Sequence, residues 1–244
     1  MKKMNRSSRR TRIELPRFGL GIALLFLVAL LLCPGNAGAV GLRMPHQDPE
    51  AIARGNAFVA TADNPSAIYY NPAGITQLQG DQFRAGIYLI SADTKYTSPG
   101  GATAQTDTTL QAVPQLYYVH SFENSPFTVG LGVYAPYGLG LDWGNNPPFA
   151  PIAQKGSLLY ATISPVIAWR VHPTLSIAAG PTISYSDADL ETLSFKFKGD
   201  GVGVGCKVGA LWHPHEQWSF GASYQSATDL EYSGHSEVPA YALG

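Results

Sequence analysis

The chain has 244 residues, with 16 basic and 17 acidic side chains and a formal net charge of −1 at pH 7. This near-neutral balance argues against a nucleic-acid partner, because nucleic-acid-binding domains carry clustered positive charge. Charged residues make up only 14% of the chain, below the roughly 25% typical of soluble domains. Low charge combined with 26 glycines and 11% aromatic residues favours a membrane β-barrel, with a soluble β-sandwich as the alternative.

The first 39 residues have the three parts of a secretory signal peptide. A basic run is followed by the apolar run Phe18–Leu32 and by the small-x-small cleavage site Ala37-Gly38-Ala39. A retained membrane anchor is the alternative. Cleavage before Val40 removes Cys33 and leaves Cys206 as the single thiol, which we expect to be a small apolar residue on a strand.

Residues 40–81 are too polar and too interrupted to form a membrane strand. Their most distinctive feature is the sequence Asn71-Pro72-Ala73-Gly74. An Asn before Pro is held extended, and Pro72 suits the first turn of a helix. We predict that residues 40–81 are an N-terminal helical hatch, or plug, inside a barrel formed by residues 82–244. A turn that only caps a short helix is the alternative for the Asn71–Gly74 corner.

Beyond residue 81, apolar residues alternate with Gly, Ser and Thr at a period of two, which is typical of strands with two different faces. Several of these runs reach the roughly 9–11 residues that a tilted membrane strand needs. Seven strands are predicted, over Gln82–Ser91, Gln111–Phe122, Phe127–Val133, Leu159–Trp169, Leu175–Tyr185, Val202–Trp212 and Trp218–Tyr224, with the start of an eighth near Asp229–Ser236.

The connections between these strands alternate in length, as the outer loops and periplasmic turns of outer-membrane barrels do. The long ones are Ala92–Leu110, Pro136–Ser157 and Ser186–Gly201, and the short ones are Glu123–Pro126, Arg170–Thr174 and His213–Gln217. Aromatic residues flank the short turns as an interfacial girdle would, namely Phe122, Phe127, Trp169, Trp212 and Trp218. The fold class predicted is therefore all-β, a transmembrane antiparallel β-barrel.

Four stretches resemble the FadL-type family of outer-membrane proteins, which transport long-chain fatty acids and toluene-like hydrocarbons. In chain order they are Ala53–Gly80 with its Asn-Pro-Ala motif, Phe127–Gly140, Leu158–Tyr185, and Gly201–Gly234 with a Tyr-x-Ser strand end. The resemblance implies a fourteen-stranded barrel in the bacterial outer membrane, plugged by its hatch, of which about half is present here. An eight-stranded barrel is the alternative, but its own side chains would fill it and leave no room for a hatch.

The resemblance also implies a route for the ligand. The ligand is caught at outer loops, reaches a lumenal pocket and leaves sideways through a gap at a kinked third strand. By position, Gly130, Gly132 and Pro136 host this lateral gate. The outer loop at which the ligand enters begins with four apolar residues, for which loop-on-loop packing is the alternative: Tyr137, Leu139, Leu141 and Trp143.

No enzymatic, metal or cofactor chemistry is expected. His120 is the only strand-borne candidate for Ser–His catalysis, and no nucleophile motif surrounds it. His213, His215 and Glu216 are interpreted as polar turn residues rather than a metal site. Lys207 lies on an otherwise Gly-rich inner face, where it pairs either with an acidic residue of the plug or with a carboxylate ligand.

The function predicted is passive transport of hydrophobic small molecules, fatty acids or aromatic hydrocarbons, across the outer membrane with lateral release. The implied partners are the hydrophobic ligand, outer-membrane lipid and the barrel-assembly machinery, and no nucleic acid. The alternatives are a structural or receptor-type barrel protein and a non-functional truncated fragment. A general diffusion porin fits less well, because these strands place mostly Gly, Ser and Thr inward rather than charged residues.

Overall fold

The computed structural model describes residues 43–44, 46–107, 109–144 and 147–238, all within the compact unit that begins at Leu42. The predicted signal peptide and Cys33 lie outside the described residues. Two short helices, α1 (Pro49–Ala53) and α2 (Ala67–Tyr70), and a 3-10 helix (Pro72–Gln77) precede the first strand. No helix in these ranges is long and apolar enough to cross a membrane.

Ten strands follow the helices. They are β1 (Asp81–Ala92), β2 (Lys95–Thr97), β3 (Thr103–Gln105), β4 (Thr109–Ser121), β5 (Phe127–Asp142), β6 (Lys155–His172), β7 (Leu175–Glu191), β8 (Lys196–His215), β9 (Trp218–Gln225) and β10 (Ser233–Glu237). Apart from the separate β2–β3 hairpin, they form one antiparallel sheet in the order β1-β4-β5-β6-β7-β8, with β9 and β10 both paired to β8.

The predicted eighth strand near Asp229–Ser236 is wrong as a separate strand. β9 pairs with the second half of β8, and β10 pairs with Lys196–Asp200 in the first half, along the same edge. From Gln225 to Ser233 the chain advances eight residues while β8 advances seven, from Lys207 to Asp200, so the two pairings differ by a one-residue bulge. β10 therefore continues β9 instead of beginning a new hairpin.

The two faces of the sheet agree with the predicted alternation. On β6, Ile163 and Ile167 are 47% and 52% exposed, whereas Thr162 and Ser164, the two neighbours of Ile163, are fully buried. The same pattern holds on β7 and β8, where Cys206 lies on the exposed face. All five aromatic residues predicted for the girdle are exposed, and Phe127 stacks on Trp169 at 5.9 Å between ring centres.

The strands are longer than predicted at the ends away from the short turns. The predicted long loop Ser186–Gly201 is mostly strand, because β7 continues to Glu191 and β8 begins at Lys196. Ladder hydrogen bonds join backbone groups, so polar side chains beyond the apolar band do not end a strand. β5 likewise runs to Asp142, and Tyr137, Leu139 and Leu141 therefore lie on a strand, with only Trp143 in the loop that follows.

The segment before β1, residues 43–44 and 46–80, lies against the inner face of the sheet and is called the inner segment below. Its apolar side chains form the core with inward residues of the strands, and Phe58, Ile68 and Ile75 are fully buried. The polar contacts that fix it reach from Arg84 on β1 to Ser219 on β9. The sheet is thus curled around the inner segment.

Candidate functional site

The Asn71 side chain fixes the corner of the inner segment to the wall. Asn71 is fully buried, and its Nδ2 donates to the carbonyls of Val59 at 2.8 Å and of Ala210 on β8 at 2.9 Å. Its Oδ1 accepts a hydrogen bond from the backbone N–H of Ala73 at 3.2 Å, which caps the 3-10 helix beginning at Pro72. Both donor hydrogens and the acceptor are therefore used, so this side chain is a rigid anchor.

Glycines allow this corner to approach its neighbours closely. A Cβ added at Gly74 would overlap the carbonyl of Ala62, and one at Gly209 would overlap Asn71 Oδ1 and lie 2.8 Å from Pro72 Cδ. Neither glycine has an unusual backbone angle, so the requirement here is space. The sequence signal Asn-Pro-Ala-Gly reflects a corner that needs small residues on both sides.

Further polar contacts fix the inner segment to strands β6, β7 and β9. Thr76 Oγ1 donates to Ser176 Oγ on β7 at 2.8 Å, and the Arg170 guanidinium on β6 donates to the Thr76 carbonyl. Ser219 on β9 donates to the carbonyl of Ala60. Since buried hydrogen bonds of this kind each contribute about 1 kcal/mol, the segment is held at several separate points.

An ion pair fixes the first turn of the inner segment to β1. Arg84 Nη2 lies 2.6 Å from Asp48 Oδ1, and Asp48 is almost fully buried. Glu50 accepts a hydrogen bond from Asn64 Nδ2 at 2.8 Å and also pairs with Arg54. The Asn64 hydrogen bond, together with the positive charges of Arg54 and Arg84, lowers the pKa of Glu50 below its usual value of 4.5. Burial raises the pKa of the Tyr70 hydroxyl to about 12.

The wall has a window between β4 and β5. Ladder pairs join these strands only from Ser121↔Thr128 to Leu116↔Val133, although both strands continue well beyond that point. β5 carries a register shift between Tyr134 and Tyr137 against β6. Above the window, Gln111 Nε2 donates to the Gly140 carbonyl at 2.9 Å, and the Asp107 N–H donates to the Asp142 carbonyl at 2.8 Å.

The start of the inner segment fills this window. Arg43 forms an antiparallel bridge with Tyr137, which pairs with Tyr160 on its other edge, so Arg43 occupies the side of β5 that faces β4. The Met44 N–H donates to the Pro136 carbonyl at 2.7 Å, and Gln47 Nε2 donates to the Ala135 carbonyl at 3.0 Å. These contacts replace the missing β4 ladder with hydrogen bonds from a separate segment.

Of the three residues predicted for the lateral gate, one lies within the irregularity of β5 and two lie before it. Pro136 lies within the bulge, whereas Gly130 and Gly132 are in regular ladder pairs with β4 and β6. A Cβ at Gly130 or Gly132 would lie 2.8 or 2.9 Å from the side chain of Ile68, so these glycines make room for α2. The register shift in β5 thus begins after Tyr134, later than the glycines suggested.

Two of the apolar residues predicted for the loop where the ligand enters, Tyr137 and Trp143, contact other aromatic side chains. Tyr137 meets Tyr160 on β6 edge-to-face at 5.0 Å between ring centres. Trp143 meets Phe149 at 4.9 Å, and Phe149 in turn meets Tyr96 of the β2–β3 hairpin at 4.8 Å. Leu141 is 39% exposed. Loop packing and an exposed apolar surface therefore coexist at this end of the barrel wall.

Sequence reasoning missed the parts of the site that depend on distant contacts. Arg43 and Gln47 carry no motif, and Gln47 meets Ala135 across 88 positions of sequence. The Arg84–Asp48 pair was missed as well, although an arginine among strand residues that otherwise alternate apolar and small was an available signal. Lys207, for which the sequence predicts an acidic partner in the plug or a carboxylate ligand, donates to the Tyr69 carbonyl.

Comparison with known proteins gives a consistent result. A family model described as "Outer membrane protein transport protein (OMPP1/FadL/TodX)" matches residues 31–243. The chain is 22% identical over 244 residues to the long-chain fatty acid transport protein of Escherichia coli, covering 85% of this chain and 54% of that protein. The chain spans 26% to 58% of the lengths of the curated relatives that it matches.

Two solved structures share the fold. A Pseudomonas aeruginosa FadL homologue is similar with a TM-score of 0.63 and 18% identity, over 78% of this chain and 53% of that one. The Pseudomonas putida toluene transporter TodX is similar with a TM-score of 0.61 and 19% identity, over 68% of this chain and 52% of that one. At these identities the similarity shows a common fold, a curled sheet that matches about half of each barrel.

Proposed function

Since the chain belongs to the OMPP1/FadL/TodX family of outer-membrane transport proteins, we propose that it takes up hydrophobic small molecules through a plugged barrel and releases them laterally at the β4–β5 window. The substrate classes proposed are those in the names of its relatives, long-chain fatty acids and aromatic hydrocarbons such as toluene. The plug is the inner segment, and the partners are the hydrophobic ligand, outer-membrane lipid and the barrel-assembly machinery.

The window between β4 and β5 is the observation that carries this proposal. A barrel wall normally closes every backbone hydrogen bond between neighbouring strands, because unpaired groups in lipid are costly. Here β4 and β5 form no ladder pairs beyond Leu116 and Val133. The backbone of β5 instead contacts Arg43, Met44 and Gln47 of the inner segment. A segment held by a few hydrogen bonds is displaced more easily than a strand, so this arrangement supports a gate.

The position of the window supports release into the membrane. Neighbouring outward residues Leu116 and Leu131 are about two-fifths exposed and belong to the apolar outer face. A hydrophobic ligand that leaves there enters the acyl region of the bilayer without crossing water, and apolar transfer of this kind is favourable. Passage straight through the lumen is opposed by the buried core that the inner segment forms with the wall.

A reversible cross-link tests the gate. Arg43 and Tyr137 are bridge partners, and antiparallel bridge partners have Cα atoms about 4.5–5.5 Å apart, which suits a disulfide. We expect Arg43→Cys with Tyr137→Cys, in a Cys206→Ala background, to transport a fluorescent fatty acid and radiolabelled toluene when reduced. Oxidation should stop uptake of a transported probe, and reduction should restore it.

A matched control separates gating from general rigidity. Tyr118 and Leu131 are already paired in the ladder below the window, so Tyr118→Cys with Leu131→Cys should transport equally in both redox states. If the oxidised protein with Arg43→Cys and Tyr137→Cys still takes up the probe, the β4–β5 window is not the exit. A full-length protein that moves neither probe would instead favour a structural or receptor role.

A further inference from the structure

The ladder between β6 and β7 is interrupted near its middle. Within the described wall, no ladder pair joins residues 164–166 to residues 180–182, although pairs continue on both sides in a single register. In that register Pro165 lies opposite Pro181. Proline has no backbone N–H, so neither residue can donate a ladder hydrogen bond to the other strand. Two opposed prolines therefore mark the interruption.

At the interruption, β6 is displaced toward the inner side of the sheet. Gly180 lies between the outward residues Ala179 and Pro181, so a Cβ added to it would point inward. That Cβ would overlap the Pro165 carbonyl and lie 2.9 Å from the Val166 Cα. The backbone of β6 thus crosses the inner side of Gly180. Unlike the β4–β5 window, the wall stays closed here, and its outer surface has a depression.

The depression is a groove of about 610 Å³ on the outer face of strands β5 to β8, called the outer groove below. Gly130 and Lys207 line its floor. Ile68 and Tyr69 of the inner segment contact these two residues from the inner side, so the groove opens outward. The outward lining residues carry no charge and are Val129, Pro165, Ile167, Ala179, Pro181, Cys206 and Val208.

The outer groove lies in the half of the wall next to the short turns. On β6, its residues Pro165 and Ile167 are four and two positions from the girdle residue Trp169. Four residues span roughly 13 Å of strand and roughly 10 Å of height at the tilt of a membrane strand, against an apolar band about 25 Å tall. Acyl chains at this height belong to the periplasmic leaflet, which in the outer membrane consists of phospholipid.

We propose that the outer groove binds one acyl chain of a phospholipid of the periplasmic leaflet. A headgroup or a peptide would leave polar groups unpaired here, because the outward side chains of the lining offer no hydrogen-bond partner except the weak thiol of Cys206. An alkyl chain has no such groups and bends to follow an irregular surface. The inference rests on outer-membrane lipid as a proposed partner, and it does not depend on transport.

Packing, rather than the hydrophobic effect, favours a chain at this position. The surrounding lipid is as apolar as the groove, so moving a chain from one to the other removes no apolar surface from water. A chain in the groove contacts wall atoms on its floor and on both sides, whereas a chain on a flat face contacts them on one side. The small side chain of Ala179, between its register partners Ile167 and Val208, leaves this space. A larger side chain at Ala179 should therefore displace the acyl chain.

Photo-cross-linking tests the site on the full-length protein in phospholipid vesicles. The probe is a phosphatidylethanolamine with a diazirine on one acyl chain, and cross-linked positions are mapped by mass spectrometry. We expect Ala179→Leu to lower cross-linking at Pro165 and Pro181 by about fivefold or more. Cross-linking at Ile163 and Ile183, the next outward residues on the same strands, should change by less than about twofold. Each position is compared with itself, because carbenes react unequally with different side chains.

Two further variants make the result specific. Ala222→Leu adds the same bulk on the outward face of β9, outside the lining of the groove, and should leave cross-linking at Pro165 unchanged. Cys206→Leu fills the groove from β8, and it should show the same loss at Pro165 if Ala179→Leu does not assemble.

The outcomes separate the lipid site from transport. Equal losses at the groove and control positions, or no loss in either groove-filling variant, would overturn the site. If a diazirine fatty acid labels the groove and the phospholipid probe does not, the transported ligand occupies it and the lipid site is wrong. If the phospholipid chain binds in the groove of a protein that takes up neither fatty acid nor toluene, the site stands and only the transport proposal is overturned.

Discussion

The amide of Asn71 and the carbonyl of Ala210 join the inner segment to β8 through a hydrogen bond of 2.9 Å between residues 139 positions apart. The same side chain also donates to the Val59 carbonyl, so its removal takes one hydrogen bond from each of two carbonyls. We expect Asn71→Ala to lower the free energy of local opening of the inner segment by about 1–3 kcal/mol. Amide exchange of residues 57–78 should become faster.

A control for Asn71→Ala is available in the same segment. Gln79 is exposed, and Gln79→Ala should leave both exchange and uptake unchanged. Both variants should assemble, as judged by heat-modifiable mobility on gels, because the strand ladder is untouched. If exchange in a well-assembled Asn71→Ala protein equals that of the wild type, Asn71 is not an anchor. If exchange rises and uptake does not change, the corner has no gating role.

The opposite side of the same contact gives a second prediction. A Cβ at Gly209 would overlap Asn71 Oδ1, so Gly209→Ala should push the corner away from β8 and cost about 1–3 kcal/mol through overpacking. Gly156→Ala on β6 is the matched control, because its Cβ would lie an ordinary 3.6 Å from Leu190. Urea titration of the folded protein should separate the two, and equal midpoints would show that the corner accommodates a methyl group.

The strands were predictable because one face meets an apolar environment and the other meets the inner segment. Side chains therefore alternate along each strand between apolar outward residues, such as Ile163 and Ile167, and small inward residues, such as Ser164. The corner was predictable in part, because Pro72 signals a helix start and the structure begins a 3-10 helix there. What Asn71 binds was not predictable, since Ala210 lies on a strand formed much later in the chain.

The strand ends and the window were less accessible to sequence reasoning. Beyond the apolar band, Asp187 and Asp189 continue β7 because backbone hydrogen bonds to β8 do not require apolar side chains. The bulge at Pro136 was suggested by proline, which cannot donate to a ladder. That Arg43 would lie beside Tyr137 follows from tertiary packing alone, because nothing local to Arg43 encodes a partner.

The outer face of the sheet supports a prediction on membrane placement. Ile163 is 47% exposed in the middle of β6, six residues from the girdle residue Trp169, and a charged residue near the bilayer midplane costs about 2–4 kcal/mol in a barrel. We expect Ile163→Arg to reduce the fraction that folds into lipid vesicles. Leu193→Arg is the control, because Leu193 lies in the connection between β7 and β8. Equal folding of the two variants would argue against a lipid-facing β6.

The acidic group at the start of the inner segment predicts how its attachment depends on pH. The pKa of Glu50 is lowered in the folded protein, first by the Asn64 hydrogen bond and then by the charges of Arg54 and Arg84. A folded-state pKa below the unfolded value stabilises the fold above the unfolded pKa, and the stabilisation is lost as pH falls through the folded pKa. The pH range in which this stabilisation is lost therefore lies below the ordinary pKa value of 4.5.

Amide exchange of residues 49–54, corrected for intrinsic rates, should rise as the pH falls from 5 into this range. Glu50→Gln should show faster exchange already at pH 7 and a smaller rise in acid, whereas Glu123→Gln, in the β4–β5 turn, should follow the wild type. Identical profiles for Glu50→Gln and the wild type would mean that this carboxylate does not hold the segment.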